Sequence, residues 1–199
     1  VLLVAEAHKG GRTLKTHLPF SLLPKNLLET CKVVYVARNP KDQLLSTLHH
    51  YKVTRHAFDG TLDTFLDYYV NDKLLTGSYA KHLKEAWELR SHPHMRFLSY
   101  EDLKDDIEGQ LKNMDDFLGT RLTPAQISNV IQKTSFNSMK QNDPVKELKD
   151  KDHYQKEVGF FRKGEAGAWK GQYTAEQEAK LDAWIDANIT PMGVPFKYD

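Results

Sequence analysis

A lysine and a histidine stand two residues apart in "RTLKTHLPF", positions 12 to 20, with Leu14, Leu18 and Phe20 around them. In an extended segment, successive side chains alternate between faces. Lys15 and His17 then share one face, and Leu14, Thr16 and Leu18 the other, until Pro19 ends any central strand. A cation beside an imidazole can stabilise developing negative charge while the imidazole accepts a proton, because histidine titrates near neutral pH. The same pair could also simply face water at a strand end.

A second set of residues suits an anion. Lys32 to Ala37, "KVVYVA", is a short β-branched run that predicts a buried parallel strand. Asn39 then suits a helix N-cap and Pro40 the first helical position, with Leu44, Leu45 and Leu48 as the inner stripe. Arg38 therefore lies at the carboxyl end of a strand, where open α/β sheets bind ligands and the next helix offers N–H groups. Ser46 falls two turns later and reaches the same anion only if that helix runs along the site. In "FFRKGEAGAWK", Arg162 and Lys163 precede Gly164, a residue type that permits close approach of backbone to an anion. An arginine fork matches a phosphate bidentately. Arg38 could instead be a surface ion-pair partner, and the segment of Arg162 and Lys163 a flexible basic loop crossing the surface. In "KTSFNSMK", Thr134 and Ser135 precede Phe136, whose ring could stack a purine or belong to the core.

The elements that must position these residues alternate. Thr61 to Val70 and Tyr79 to Arg90 read as amphipathic helices. Met95 to Ser99 reads as a second strand, and the acidic "YEDLKDD" after it as a helix start. Thr123-Pro124 opens another helix with Ile127, Val130 and Ile131 inward. Positions 140 to 156 are polar and predict a mobile surface segment, and Thr174 to Ile189 a last helix with Leu181, Trp184 and Ile185 inward. Strands interleaved with helices indicate a layered α/β domain, and 199 residues suit one domain, 1–199.

Composition narrows the function classes. Twenty-eight Lys and Arg against 27 Asp and Glu argue against a broad nucleic-acid or anionic-membrane surface, while allowing a compact anion site. One cysteine, Cys31, excludes an intrachain disulfide framework and fits a reducing compartment, the cytoplasm. The pairs His49-His50 and His92/His94 lack metal-ligand spacing, so no metal is expected. No apolar run nears the roughly 18 residues that cross a bilayer. The chain opens on valine, as a segment starting inside a longer protein would.

In order, KTHLP, VVYVARNPKD with a serine eight residues beyond the arginine, SYEDLK, TSF and RKGxxGxWK closely resemble the cytosolic sulfotransferase family, from about Thr13 to Trp184. The resemblance implies a three-layer parallel-sheet fold of the P-loop NTPase-like kind. It also implies transfer of a sulfuryl group from 3′-phosphoadenosine 5′-phosphosulfate (PAPS), leaving 3′,5′-adenosine bisphosphate (PAP), to a small hydroxylated acceptor. By the same resemblance His17 is the catalytic base and Lys15 its charge-stabilising neighbour. Arg38, Ser46, Arg162, Lys163 and Gly164 would bind the 3′-phosphate. Tyr100 and Thr134 would contact the adenine or ribose side, and Phe136 would stack on adenine.

The family's 5′-phosphosulfate loop, TYPKSGTxW, belongs upstream of KTHLP. "EAHKGGRT", 6 to 13, sits too close to KTHLP to be that loop, so the resemblance is to the C-terminal two-thirds of the family, an N-terminally truncated form. The family's KxxxTVxxxE dimerisation pattern is degenerate here, since Ala175 and Ala179 replace its valine and glutamate. Three activities fit: a sulfotransferase, a silent remnant that holds PAP or PAPS, and a dehydratase that activates an alcohol by transient sulfation.

Overall fold

The computed structural model describes residues 7–53, 58–143 and 159–198. Two strands, β1 (Val33–Ala37) and β2 (Met95–Ser99), pair in parallel from Val33 opposite Met95 to Ala37 opposite Ser99. A parallel pair needs a long crossover, and three helices lie within this one: α2 (Pro40–Val53), α3 (Leu62–Val70) and α4 (Tyr79–Glu88), after a short α1 at Leu27–Thr30. After β2 come α5 (Tyr100–Asp105), α6 (Ile107–Leu118), α7 (Pro124–Thr134), α8 (Phe136–Gln141) and α9 (Ala175–Asn188).

Local chemistry sets the helix starts. Asn39 Oδ1 accepts from the Asp42 N–H at 2.9 Å, with Pro40 first in α2. Thr61 and Ser78 cap α3 and α4, and capping boxes at Thr123/Gln126 and Thr174/Gln177 open α7 and α9. The acidic run after β2 divides into two helices: Asp106 closes α5, and its carboxylate accepts from Gly109 N–H at the start of α6.

The main core gathers Leu44, Leu45 and Leu48 of α2, Phe65, Leu66 and Tyr69 of α3, Leu83 of α4, and Leu181, Trp184 and Ile185 of α9. This apolar burial is the main force holding the helices over the strands.

Four expectations need adjusting. β1 is buried on one face only: Tyr35 packs towards the core, whereas Val34 and Val36 are 36% and 53% exposed. The KTHLP segment forms no strand, and only a 3-10 turn at Phe20–Leu22 follows Pro19. Leu14 and Leu18 stay exposed beside it, because the segment leans on a helix instead of a neighbouring strand. The helix expected to reach Arg90 ends at Glu88, with Leu89 as its C-cap. The segment expected to be mobile, 140 to 156, begins inside α8, and its remainder from 144 lies outside the described residues.

Candidate active site

The carboxyl ends of β1 and β2 meet at one buried acid. Asn39 donates to Glu101 Oε1 through its backbone N–H at 3.0 Å and its Nδ2 at 2.9 Å. Glu101 is 2% exposed and lies two residues beyond the end of β2, so it ties the β1–α2 turn to that end. Burial raises its carboxyl above the ordinary glutamate value, partly opposed by the Asn39 hydrogen bonds. Next to it, the Arg38 guanidinium lies 4.3 Å from the centre of the Tyr100 ring.

Asp42 is fully buried in the first turn of α2 and organises the basic groups. It pairs with Arg38 at 3.4 Å, lies 4.0 Å from Arg162, and accepts from the Gly167 N–H at 2.7 Å. Arg38 Nη2 also donates to the Glu165 carbonyl at 2.8 Å. Two guanidiniums thus flank one carboxylate. Burial and then repulsion from Arg38 hold the Arg162 pKa below its ordinary value. Arg38 Nε is buried without a hydrogen-bond partner.

The loop carrying Arg162 runs along α2. The Gly159 and Phe160 carbonyls lie 2.9 and 3.2 Å from His49 Nε2, which therefore donates, and Gly167 is held by Asp42. Ser46 lies on α2 between Asp42 and His49, the two residues that bond the loop, and is partly exposed. Gly164 sits at φ +71°, and a Cβ built there would fall 2.0 Å from Phe136 Cδ2. The Phe136 ring lies directly on that backbone, edge-on to Phe161 with centroids 5.8 Å apart. Only glycine fits both the torsion and the contact. Lys163 is exposed beside it. Thr134 is exposed at the end of α7, its hydroxyl donating to the Val130 carbonyl at 2.8 Å.

Lys15 and His17 stand apart from this cluster, on the segment that leans on α4. His82 Nε2 lies 3.3 Å from the His17 carbonyl, and Ser21 N–H donates to Glu85 at 2.8 Å. The structure holds the His17 pKa below the ordinary 6.5 through partial desolvation, then through the nearby Lys15 ammonium and the neighbouring His82 ring. This shift favours the neutral imidazole. One helix joins the two sites, because Tyr79, one turn before His82 on α4, donates its hydroxyl to the Arg38 carbonyl.

Sequence reasoning missed Asp42, Glu101, His49 and His82. Asp42 had a signal, since it lies at i+4 from Arg38. The other three act through partners distant in sequence. Among the described residues, no group of three or more His, Cys, Asp or Glu stands where it could hold a metal ion.

A model of the sulfotransferase domain matches residues 3–193. This chain belongs to the sulfotransferase family. Sulfotransferase 1A1 of Rattus norvegicus is 36% identical over 200 residues, covering 96% of this chain and 67% of its own length. Its counterpart in Mus musculus is 38% identical over 194 residues, covering 94% and 65%. A crystal structure of retinol dehydratase with androsterone and the inactive cofactor PAP superimposes with a TM-score of 0.91 at 31% identity, covering the whole chain and 59% of the dehydratase. A mouse sulfotransferase complexed with PAP gives 0.79 at 27% identity, covering 94% and 68%. The chain therefore spans about two-thirds of the curated relatives and less of the dehydratase. The α/β architecture with a parallel sheet is the sulfotransferase fold. No helix among the described residues is long and apolar enough to cross a membrane.

Proposed function

We propose that this chain carries the PAP-binding and base-bearing part of a cytosolic, PAPS-dependent sulfotransferase acting on the hydroxyl of a small acceptor. The observation that carries this reading is the pair of guanidiniums, Arg38 and Arg162, brought together at the carboxyl end of β1. Like charges so placed favour a bound anion, and the unpartnered Arg38 Nε supplies a buried donor for one. Ser46, Lys163 and the Gly164 backbone lie along the same loop–helix seam. These five residues would hold a 3′-phosphate. Tyr100 and Thr134 would line the adenosine side, and Phe136, packed on Gly164, would offer its ring to adenine.

When bound, PAPS supplies an activated sulfuryl group and is left as PAP. His17, kept neutral by its surroundings, takes the acceptor's hydroxyl proton on a ring nitrogen. The Lys15 ammonium offsets negative charge that develops beside it. Positioning and electrostatics would supply most of the rate, as in phosphoryl transfer.

Calorimetric titration of the chain with PAP, against 5′-AMP as control, tests the site. A phosphate held by charge-assisted hydrogen bonds favours PAP by about tenfold or more, and Arg38→Ala removes that preference. Equal binding of the two nucleotides, or no binding of either, would overturn the half-site assignment.

A second reading, alcohol dehydration through transient sulfation, is favoured by the likeness to retinol dehydratase, which has been solved with retinol and PAP at a TM-score of 0.91. The two readings share the site and differ in product.

A further inference from the structure

We propose that His82 is a positioning residue for His17, locked into one tautomer by Tyr35. The proposal deepens the reading of His17 as the base and rests on it.

The argument begins with what each atom is able to do. The His17 carbonyl oxygen only accepts, so His82 Nε2, 3.3 Å away, must carry the hydrogen. A neutral imidazole then has its lone pair on Nδ1, and that nitrogen lies 2.8 Å from the Tyr35 hydroxyl. The chain of hydrogen bonds therefore has one direction: Tyr35 O–H to His82 Nδ1, and His82 Nε2–H to the carbonyl of His17. Burial raises the Tyr35 pKa far above the usual phenol range, so Tyr35 keeps its proton and stays a donor.

Tyr35 is itself fixed. It projects from β1, stacks on Phe97 of β2 with centroids 5.4 Å apart, and has a ring tilted against His82 at 5.5 Å. The parallel strand pair thus sets Tyr35, Tyr35 sets the His82 ring, and His82 sets the backbone that bears the base. Glu85, three residues further along α4, accepts from Ser21 N–H at 2.8 Å and gives the segment a second anchor. The segment has no regular secondary structure from Lys9 to Pro19, so these side chains take the place of a sheet ladder. Tyr79 of the same helix holds the backbone of Arg38. One helix consequently sets the spacing between the base and the anion-binding turn.

The test has two parts on the 199-residue chain. Long-range ¹H–¹⁵N correlation spectra of labelled histidine should show His82 as the Nε2–H tautomer, and Tyr35→Phe should mix the tautomers. A pure Nδ1–H tautomer in the wild type would overturn the proposal. Two substitutions then separate position from chemistry. His82→Gln keeps an N–H where Nε2 was, whereas His82→Asn is too short to reach His17. The His17 carbonyl carbon resonance should shift in the asparagine variant and return towards the wild-type position in the glutamine variant. In sulfuryl-transfer assays, kcat should fall about tenfold to a hundredfold in His82→Asn and largely recover in His82→Gln, with KM for PAPS unchanged in both. Identical behaviour of the two variants, in either measurement, would overturn the proposal. Should the chain transfer no sulfuryl group, the function would fail, and the tautomer and carbonyl resonances would still decide the role of His82.

Discussion

At the scale of single residues, the two halves of the site are held by opposite devices. Arg38 and Arg162 are gathered by a buried carboxylate, Asp42, whereas His17 sits largely exposed and is held through its own backbone. Chemistry and cofactor binding should therefore separate on mutation. His17→Ala should lower kcat by about a hundredfold or more and leave PAP affinity in calorimetry close to wild type. A parallel loss of PAP affinity would show that His17 belongs to the binding half. His17, as the proposed base, would act in its neutral form, and its surroundings lower its pKa below 6.5. The acidic limb of a kcat/KM profile should accordingly lie below the ordinary histidine value, so that activity is retained as pH falls through 6.5. A limb above 6.5 would contradict the base assignment.

At the scale of elements, the β1–α2 turn depends on Glu101 from the other strand. Its folded pKa is raised chiefly by burial, so the folded state binds this proton more tightly than the unfolded state does. The stabilisation from that proton is complete below the unfolded value and disappears as pH rises through the folded one. Glu101→Gln keeps an acceptor for Asn39 and removes the titration. Urea unfolding should then show the wild type gaining stability relative to the variant as pH drops from about 7 to about 4; a constant difference would mean that the carboxyl is not desolvated. The start of α9 is a separate case. Thr174 and Gln177 form a capping box there, ahead of the buried Leu181, Trp184 and Ile185. Thr174→Ala should cost about 1 kcal/mol in the same assay, and Thr174→Ser should recover most of it. Thr174 is also one of the two positions at which the family's dimerisation pattern is retained, and the cap alone is a sufficient reason for a threonine at that position.

At the scale of the molecule, a parallel pair places the Arg38 turn and Glu101 on one side of the sheet, and α4 links that turn, through Tyr79, to the Lys15–His17 segment, through His82. The same framework is shared by sulfotransferases and by retinol dehydratase, so the fold leaves the outcome of the reaction open. Mass spectrometry of the product from a small alcohol and PAPS discriminates. A sulfate ester is the expected product of simple transfer, and an alkene lighter than the alcohol by one water would establish dehydration.

The sequence by itself determined what depends on neighbours along the chain. Asn39 and Pro40 start α2, Thr123 and Thr174 start α7 and α9, and Met95–Ser99 forms the second strand as its pattern requires. Those are local hydrogen bonds and local periodicities, and the ordered motifs were specific enough to name the family. The tertiary structure decided which distant groups meet. Nothing in "RTLKTHLPF" says that His82, 65 residues later, holds the His17 carbonyl, or that the segment uses a helix in place of a strand. Nor does the spacing of Arg38 and Arg162 reveal that both reach one buried aspartate, or that Phe136 rests on Gly164. Such pairings follow from how the hydrophobic effect packs the elements, and that effect is non-directional. They become visible only once packing has fixed which polar groups lose water and must find a partner.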